Sequence, residues 1–149
     1  MQFNRIVVPV DGSTHAMKAL ELAVQLQDKF EGSTLWVLSV YQYVSLVESS
    51  HSMVRGRQDL MPPDEAMKAL SREIVDQYIA KAVELDASGV KGVVKRGKPS
   101  RTIVDFAKEH SADCIVMGGR GIGDVGGVLL GSVSHKVASL APCTVITVK

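Results

Sequence analysis

The chain has 149 residues, a length that fits one domain with a substantial buried core. Its 17 basic and 16 acidic residues leave a formal net charge of +1, so no overall field favours nucleic acid or an anionic membrane. No stretch approaches the roughly 18 apolar residues of a membrane span, and the first residues lack the features of a signal peptide. We therefore expect one cytoplasmic, soluble domain over residues 1–149, with no nucleic-acid or membrane partner.

The first part of the chain alternates β-branched runs with helical periodicity. Residues 5–10 form a compact β-branched run, and Asp11 and Ser13 in the turn that follows are candidate N-caps. Apolar residues then recur with helical spacing, and a second mostly apolar run follows a glycine-serine break. The pattern predicts a strand over 5–10, a helix over about 14–30 and a strand over 34–41.

Residues 42–62 are mixed and polar and show no sustained period. We predict a long loop here. The simpler interpretation is a tolerated insertion. The alternative is a lid whose Arg55 and Arg57 face a phosphate, although exposed arginines are usually only solvated.

A long helix is predicted to begin at residues 63–64 and to end near residues 88–89. Six apolar residues recur on one face of it: Met67, Leu70, Ile74, Tyr78, Ala82 and Leu85. We expect Met67 and Tyr78 to be core residues.

The second half continues the alternation. A strand is predicted over 90–96, then a helix capped by Ser100, with Ile103, Phe106 and Ala107 pointing inward. A buried strand begins after residue 113, a glycine-rich loop leads to a short helix that ends before residue 142, and a strand covers 144–148. The predicted order is βαβαβαβαβ.

Alternating strands and helices predict right-handed crossovers and an α/β fold, a parallel sheet with helices on both faces. Ligands of such folds bind at the carboxyl ends of the strands, where the chain order reverses. We therefore expect the segment after the first strand and the glycine-rich loop after the fourth strand to line one crevice.

The glycine-rich loop holds seven glycines between residues 118 and 131. Glycines let the backbone approach a ligand closely, and Ser132 is a candidate N-cap for the helix that follows. A loop that ends at a helix N-terminus offers unpaired N–H groups and the positive end of the helix dipole. The segment therefore predicts a phosphate-binding loop.

Two common phosphate signatures do not fit this loop. Gly121, Gly123 and Gly126 spell G-x-G-x-x-G, but the helix of a dinucleotide-binding fingerprint would begin inside the motif. Residues 126–132 spell G-x-x-x-x-G-S, a P-loop without the lysine that reaches the β- and γ-phosphates.

A third spacing does fit. Gly118, two residues, Gly121, nine residues, Gly131 and Ser132 together resemble the nucleotide-binding loop of the universal stress protein family. The resemblance extends over the whole chain, because it includes Val-Asp-Gly-Ser at residues 10–13 and Ala-Pro-Cys-x-Val at residues 141–145.

The resemblance implies a single-domain, three-layer α/β/α architecture, the Rossmann-like adenine nucleotide alpha-hydrolase-like fold, with a five-stranded parallel sheet in the order 3-2-1-4-5. It also implies ATP as ligand, with ADP or AMP as alternatives. Pro9, Val10, Asp11 and Val40 would border adenine and ribose. The residues that would hold ribose and phosphates are Gly118, Arg120, Gly121, Gly131, Ser132, Val133 and Ser134.

Asp11 has two open interpretations. It could help to hold Mg²⁺ or Mn²⁺ beside the phosphates, or it could only cap the first helix. The two cysteines, Cys114 and Cys143, are expected to be small buried side chains. The spacing of cysteines and histidines indicates no other metal site.

A homodimer is expected through Thr144–Val148, because this β-branched strand would otherwise be an apolar sheet edge, and the family pairs subunits there. Its downstream protein partner is unknown.

The leading functional interpretation is a nucleotide-binding regulatory module of the stress response, with no catalytic residue. The alternative from a different class is a slow ATP hydrolase or phosphotransferase that uses the same site. A dimeric protein with a vestigial pocket is disfavoured, because all four loop positions are present. Asp11, Ser13 and His15 are too poorly spaced for a catalytic trio. His135 and Lys136 are expected to be solvated.

Overall fold

The computed structural model describes residues 1–42, 63–120 and 131–149. Gly121, the hypothetical lid and its arginines lie outside these residues. The described chain contains five strands and four helices in the predicted alternating order. The strands are β1 (Arg5–Pro9), β2 (Thr34–Tyr41), β3 (Val90–Arg96), β4 (Cys114–Gly118) and β5 (Thr144–Val148). The helices are α1 (Thr14–Lys29), α2 (Asp64–Glu84), α3 (Pro99–Glu109) and α4 (Ser132–Leu140).

The strands form one parallel sheet in the order β3-β2-β1-β4-β5, which confirms the expected topology. β1 lies at the centre, where Arg5 pairs with Thr34 of β2 and Ile6 pairs with Cys114 of β4. The chain therefore reverses its direction of travel across the sheet at β1, and the segments after β1 and β4 lie side by side.

Helices cover both faces of the sheet, as the alternation predicts. Alternate residues of β1 point to opposite faces, so Ile6 and Val8 pack with α1 and α2 while Val7 packs with α3 and α4. Each face has its own buried apolar cluster, and the sheet strands are buried between them. No helix among the described residues has the length and apolarity that a membrane crossing requires.

Two predicted helix caps are wrong. α3 begins at Pro99, with Lys98 rather than Ser100 at the N-cap position, because proline lacks an N–H and its restricted φ suits the first helical residue. α4 has Gly131 at its N-cap position, and Ser132 is already helical. The cap of α1 is confirmed, since Ser13 Oγ accepts a hydrogen bond from the Ala16 N–H at 3.1 Å.

The predicted apolar face of α2 is partly wrong. Tyr78 and Ala82 are buried, but Leu70 is 52% exposed, and the helix ends at Glu84 rather than near residue 88. The buried stripe instead begins at Ser71 and Val75. Ser71 is buried because its hydroxyl lies 2.6 Å from that of Ser39 on β2, a pairing that an apolar pattern cannot reveal.

Candidate functional site

A cavity of about 350 Å³ opens at the carboxyl ends of β1 and β4. Its volume lies within the range of roughly 300–1,000 Å³ typical of small-molecule sites. Eleven residues were expected at a nucleotide site, and the ten that the structure describes all line this cavity: Pro9, Val10, Asp11, Val40, Gly118, Arg120, Gly131, Ser132, Val133 and Ser134. The eleventh, Gly121, lies outside the described residues.

The turn after β1 forms one wall of the cavity. Asp11 Oδ1 accepts the Ser13 N–H at 2.9 Å, and Gly12 between them has a φ of 84°, which favours glycine. The Val10 N–H donates to the Leu38 carbonyl at 2.8 Å, so the end of β1 stays attached to β2. Asp11 therefore has a structural role in starting α1, and its exposed carboxylate also lines the cavity.

Tyr78 of α2 supports the turn after β1 through a hydrogen bond. Its hydroxyl donates to the Ser13 carbonyl at 3.3 Å, and its side chain is only 2% exposed. Burial, together with the nearby Asp11 carboxylate, which disfavours a second negative charge, raises the pKa of the Tyr78 phenol to about 12. Tyr78 thus remains a neutral donor that links α2 to the cavity wall.

Gly118 ends β4 and is required by packing. A Cβ at this position would lie 2.7 Å from His15 Cβ and 2.9 Å from the His15 carbonyl carbon. Any side chain here would force the first turn of α1 away from the sheet. The glycine at 118 therefore has a structural explanation independent of any ligand.

Hydrogen bonds tie the two described ends of the glycine-rich loop together. The Gly119 carbonyl accepts from the Gly131 N–H and lies 3.0 Å from Ser134 Oγ. The same hydroxyl also lies 3.0 Å from the Gly131 carbonyl, and Ser134 is 2% exposed. We call Gly119, Gly131 and Ser134 the loop clasp. In the loop clasp, the Ser134 hydroxyl is hydrogen-bonded to backbone carbonyls. The clasp also places the first turn of α4 at the cavity.

The N-terminus of α4 gives the cavity its polar end. Ser132, Val133 and Ser134 are the first three residues of the helix, and their N–H groups belong to the turn that has no intrahelical acceptor. The positive end of the helix dipole is at the same place. Arg120 adds the one cationic side chain among the described lining residues. This end of the cavity can bind an anionic group.

The apolar end of the cavity includes residues that the sequence analysis did not assign to the site. Pro99 and Ile103 of α3 line it together with Leu38 and Met117. The sequence pattern did not indicate them because α3 follows β3, an edge strand, whereas the expected crevice lies between the segments after β1 and β4. The expected strand order could have indicated these residues. A crossover from β3 to β4 must carry α3 across β2 and β1, and therefore past the cavity.

The metal-binding and catalytic alternatives can be compared with this geometry. No group of three or more histidine, cysteine or acidic side chains that could hold a metal occurs in the described part of the chain. Asp11 is the one carboxylate among the described lining residues. A lone carboxylate fits Mg²⁺, which is often bound by one or two carboxylates together with substrate phosphates.

The trio of Asp11, Ser13 and His15 does not form a catalytic arrangement. Ser13 Oγ accepts the Ala16 N–H, and His15 Nδ1 is buried without a hydrogen-bond partner among the described residues. The cysteines are also unsuited to catalysis, since burial raises the pKa of the Cys114 thiol to about 12 and also raises the pKa of Cys143. Cys114 is buried as expected, whereas Cys143 is only partly buried.

The fold and cavity define the class: a doubly wound α/β protein with a helix N-terminus and a cavity at its switch point. The model of the universal stress protein family matches residues 2–149, and the chain belongs to this family. It is 34% identical over 153 aligned positions to universal stress protein YxiE of Bacillus subtilis, with 99% of each chain covered. A protein of Thermus aquaticus from the same family is 31% identical over 150 positions, covering 99% of each chain.

Solved structures of the family share the fold. UspA of Lactobacillus plantarum superimposes with a TM-score of 0.81 at 27% identity, covering 100% of this chain and 99% of the other. A universal stress protein in complex with cAMP has a TM-score of 0.74 at 23% identity, covering 100% and 99%. The Archaeoglobus fulgidus protein in complex with dAMP has a TM-score of 0.70 at 24% identity, covering 100% of both chains.

Proposed function

We propose that this chain binds ATP in the cavity at the ends of β1 and β4 and acts as a regulatory module of the stress response in the cytoplasm. The observation that carries the proposal is the division of the cavity into an apolar end and an anion-binding end. A nucleotide has the same division, with a flat base at one end and phosphates at the other. The cAMP and dAMP complexes of structurally similar proteins support adenine as the base.

The base is assigned to the apolar end. Pro9, Val10 and Val40 come from the ends of β1 and β2, and α3 contributes Ile103 on the side of the cavity that Leu38 also lines. The aliphatic side chains of this lining suit the faces of a purine, and backbone groups at the strand ends can pair with its edge. Asp11 lies beside this wall and is assigned to the ribose.

The phosphates are assigned to the N-terminus of α4 and to the glycine-rich loop. The N–H groups of the first turn can donate to phosphate oxygens, and Arg120 supplies a positive charge. The loop clasp uses the Ser134 hydroxyl, so Ser134 contributes mainly by fixing the loop. Ser132 is exposed and its hydroxyl can reach a ligand. Mg²⁺ or Mn²⁺ would then be held by phosphate oxygens together with Asp11.

Isothermal titration calorimetry of the purified chain with ATP, ADP, AMP and GTP tests the proposal. We expect saturable binding of adenine nucleotides and weaker binding of GTP. Val133→Phe places a large ring at the cavity and should weaken ATP binding at least tenfold. Gly131→Val should also weaken binding, because a side chain would intervene where the buried backbone approaches phosphate; its φ of −68° rules out strain from a positive φ.

The matched control is Val83→Phe, which makes the same substitution at a position 60% exposed on α2 and outside the cavity lining. It should bind ATP like the unchanged chain. Equal ATP affinity in all four proteins would contradict the assignment of the cavity. Absence of nucleotide binding in the unchanged chain would contradict the function itself.

We also propose that the chain forms a homodimer through β5. This strand pairs only with β4 in the described sheet, and all five of its residues are half-buried in the single chain. An open β-branched edge of this kind favours pairing with a second copy.

A further inference from the structure

A second cavity lies where the first turn of α1 meets the ends of β4 and β5. Its volume is about 240 Å³, and its described lining consists of His15, Gly119, Arg120 and Lys149. Arg120 also lines the first cavity, so the two cavities share one side chain. The proposed nucleotide site does not use His15 or Lys149.

The described lining of this cavity is basic. Arg120 and Lys149 have cationic side chains, His15 has an imidazole, and no acidic side chain occurs among the four described lining residues. His15 is the second residue of α1, so the positive end of a 16-residue helix dipole adds to the same potential. A concave surface of one sign of charge concentrates ions of the opposite sign.

The imidazole of His15 also has a ring nitrogen without a hydrogen-bond partner among the described residues. Its Nδ1 is buried and has no hydrogen-bond partner among the described residues. Buried polar atoms are normally satisfied, so this imidazole has hydrogen-bonding capacity that the described residues do not use. The Gly119 N–H cannot serve such a ligand, because it donates to the Val148 carbonyl at 2.7 Å. The donors in this cavity are therefore side chains.

We propose that this second cavity binds a phosphate group. A tetrahedral oxyanion can accept hydrogen bonds from the imidazole of His15 and from the cationic side chains of Arg120 and Lys149 at once. The group has two possible sources. It is either a terminal phosphate of the nucleotide proposed for the first cavity, which rests on the proposed function, or inorganic phosphate, which does not.

Two variants test the proposal: His15→Gln, which keeps a side chain of similar size, and Lys149→Ala at an exposed position. The controls are His135→Gln and Lys108→Ala, which remove the same residue types from exposed helix positions outside both cavities. Each protein is titrated calorimetrically with ATP and with AMP. Inorganic phosphate is added separately without nucleotide, and the His15 imidazole resonance is followed by NMR. Thermal melting checks the folding of each variant.

For a terminal phosphate of the nucleotide, we expect both variants to bind ATP about tenfold more weakly with unchanged AMP affinity, since one charge-assisted hydrogen bond is worth about this factor. For inorganic phosphate, nucleotide affinities stay unchanged, and phosphate shifts the His15 resonance in the unchanged chain but not in Lys149→Ala. If neither ATP affinity nor the phosphate titration responds to these variants, or if the controls respond equally, the proposal is wrong. A chain that binds no nucleotide at all contradicts the proposed function, and the phosphate titration then decides the second cavity alone.

Discussion

Ser134 lines the cavity and, through the loop clasp, also holds the glycine-rich loop together. The hydroxyl of Ser134 lies between the carbonyls of Gly119 and Gly131, which are the described ends of the glycine-rich loop. Ser132, two residues earlier, is exposed and makes no side-chain cap. The two serines of the same motif therefore have different physical roles.

Ser134→Ala should lower the free energy of unfolding by about 0.5–1.5 kcal/mol, because it removes a buried hydrogen bond while the carbonyls of Gly119 and Gly131 keep their backbone donors. Ser132→Ala should change it by less than about 0.5 kcal/mol, as is usual for exposed positions. Urea unfolding followed by circular dichroism measures both values. Equal effects of the two substitutions would show that the clasp does not hold the loop.

Tyr78 makes stability depend on alkaline pH. The pKa of its phenol is raised from 10.0 to about 12 in the folded chain, so the folded state binds the proton more tightly than the unfolded state. Its contribution to stability is therefore fully present below pH 10 and is lost as the pH rises to about 12. The Cys114 thiol, whose pKa rises from 9.0 to about 12, acts in the same direction.

We expect the free energy of unfolding to fall between pH 9 and pH 12, and Tyr78→Phe to reduce the fall above pH 10. Urea unfolding at a series of pH values measures the free energy of unfolding of each protein. Tyr41→Phe, which removes a tyrosine hydroxyl at a half-buried position, is the matched control. An identical profile for Tyr78→Phe and the unchanged chain would exclude Tyr78 as a source of the dependence.

At the scale of elements, β5 directs half of its backbone groups to β4 and the other half to the open edge of the sheet. Val148 of β5 directs its carbonyl to Gly119, which follows β4. Successive strand residues direct their backbone groups to opposite sides, so Ile146 also faces β4 while Val145 and Thr147 face the open edge of the sheet. The open edge therefore has an identifiable set of N–H groups for a second copy.

Light scattering at micromolar concentration should give about twice the chain mass of 16.0 kDa. Thr147→Pro removes an N–H from the open edge and should yield a folded monomer. Ile146→Pro is the matched comparison, because it removes an N–H directed at β4 and should instead destabilise the fold. A monomeric unchanged chain, or a dimer that persists in Thr147→Pro, would contradict pairing through β5.

At the scale of the whole molecule, the fold builds a cavity whose described lining has few groups for catalysis. Phosphoryl transfer requires a positioned nucleophile and compensation of the charge that develops on the γ-phosphate. Among the described lining residues, Arg120 is the one cation and Asp11 the one carboxylate, and Asp11 already accepts the Ser13 N–H. Residues 118–134 contain no lysine.

We therefore expect ATP to be bound far better than it is hydrolysed, with turnover below the roughly 1 per second that marks the slow end of ordinary enzymes. Phosphate release under saturating ATP and Mg²⁺ measures it, and Gly131→Val serves as the control for contaminating activity. Faster release that disappears in this variant would assign the chain to the hydrolases instead.

Much of the architecture could be predicted because it depends on local pattern. β-branched runs marked all five strands, and the turn at Asp11 and Ser13 located the start of α1. Helix ends were less predictable, since Ser100 and Ser132 satisfy the composition of a cap without its geometry. Whether a serine caps a helix depends on which residue is the first helical one, and a shift of one residue is enough to remove the cap. That residue is set only when the backbone folds.

The sequence identified the segments that line the first cavity, because glycines and polar turns at strand ends mark where a backbone can approach a ligand. It could not determine that Pro99 and Ile103 complete the cavity, that Ser39 and Ser71 pair beneath α2, or that His15 and Lys149 share a second cavity. These residues are far apart in the chain and are brought together by crossovers between strands. Such contacts depend on how helices pack across the sheet and not on any local period, so they form only when the chain folds.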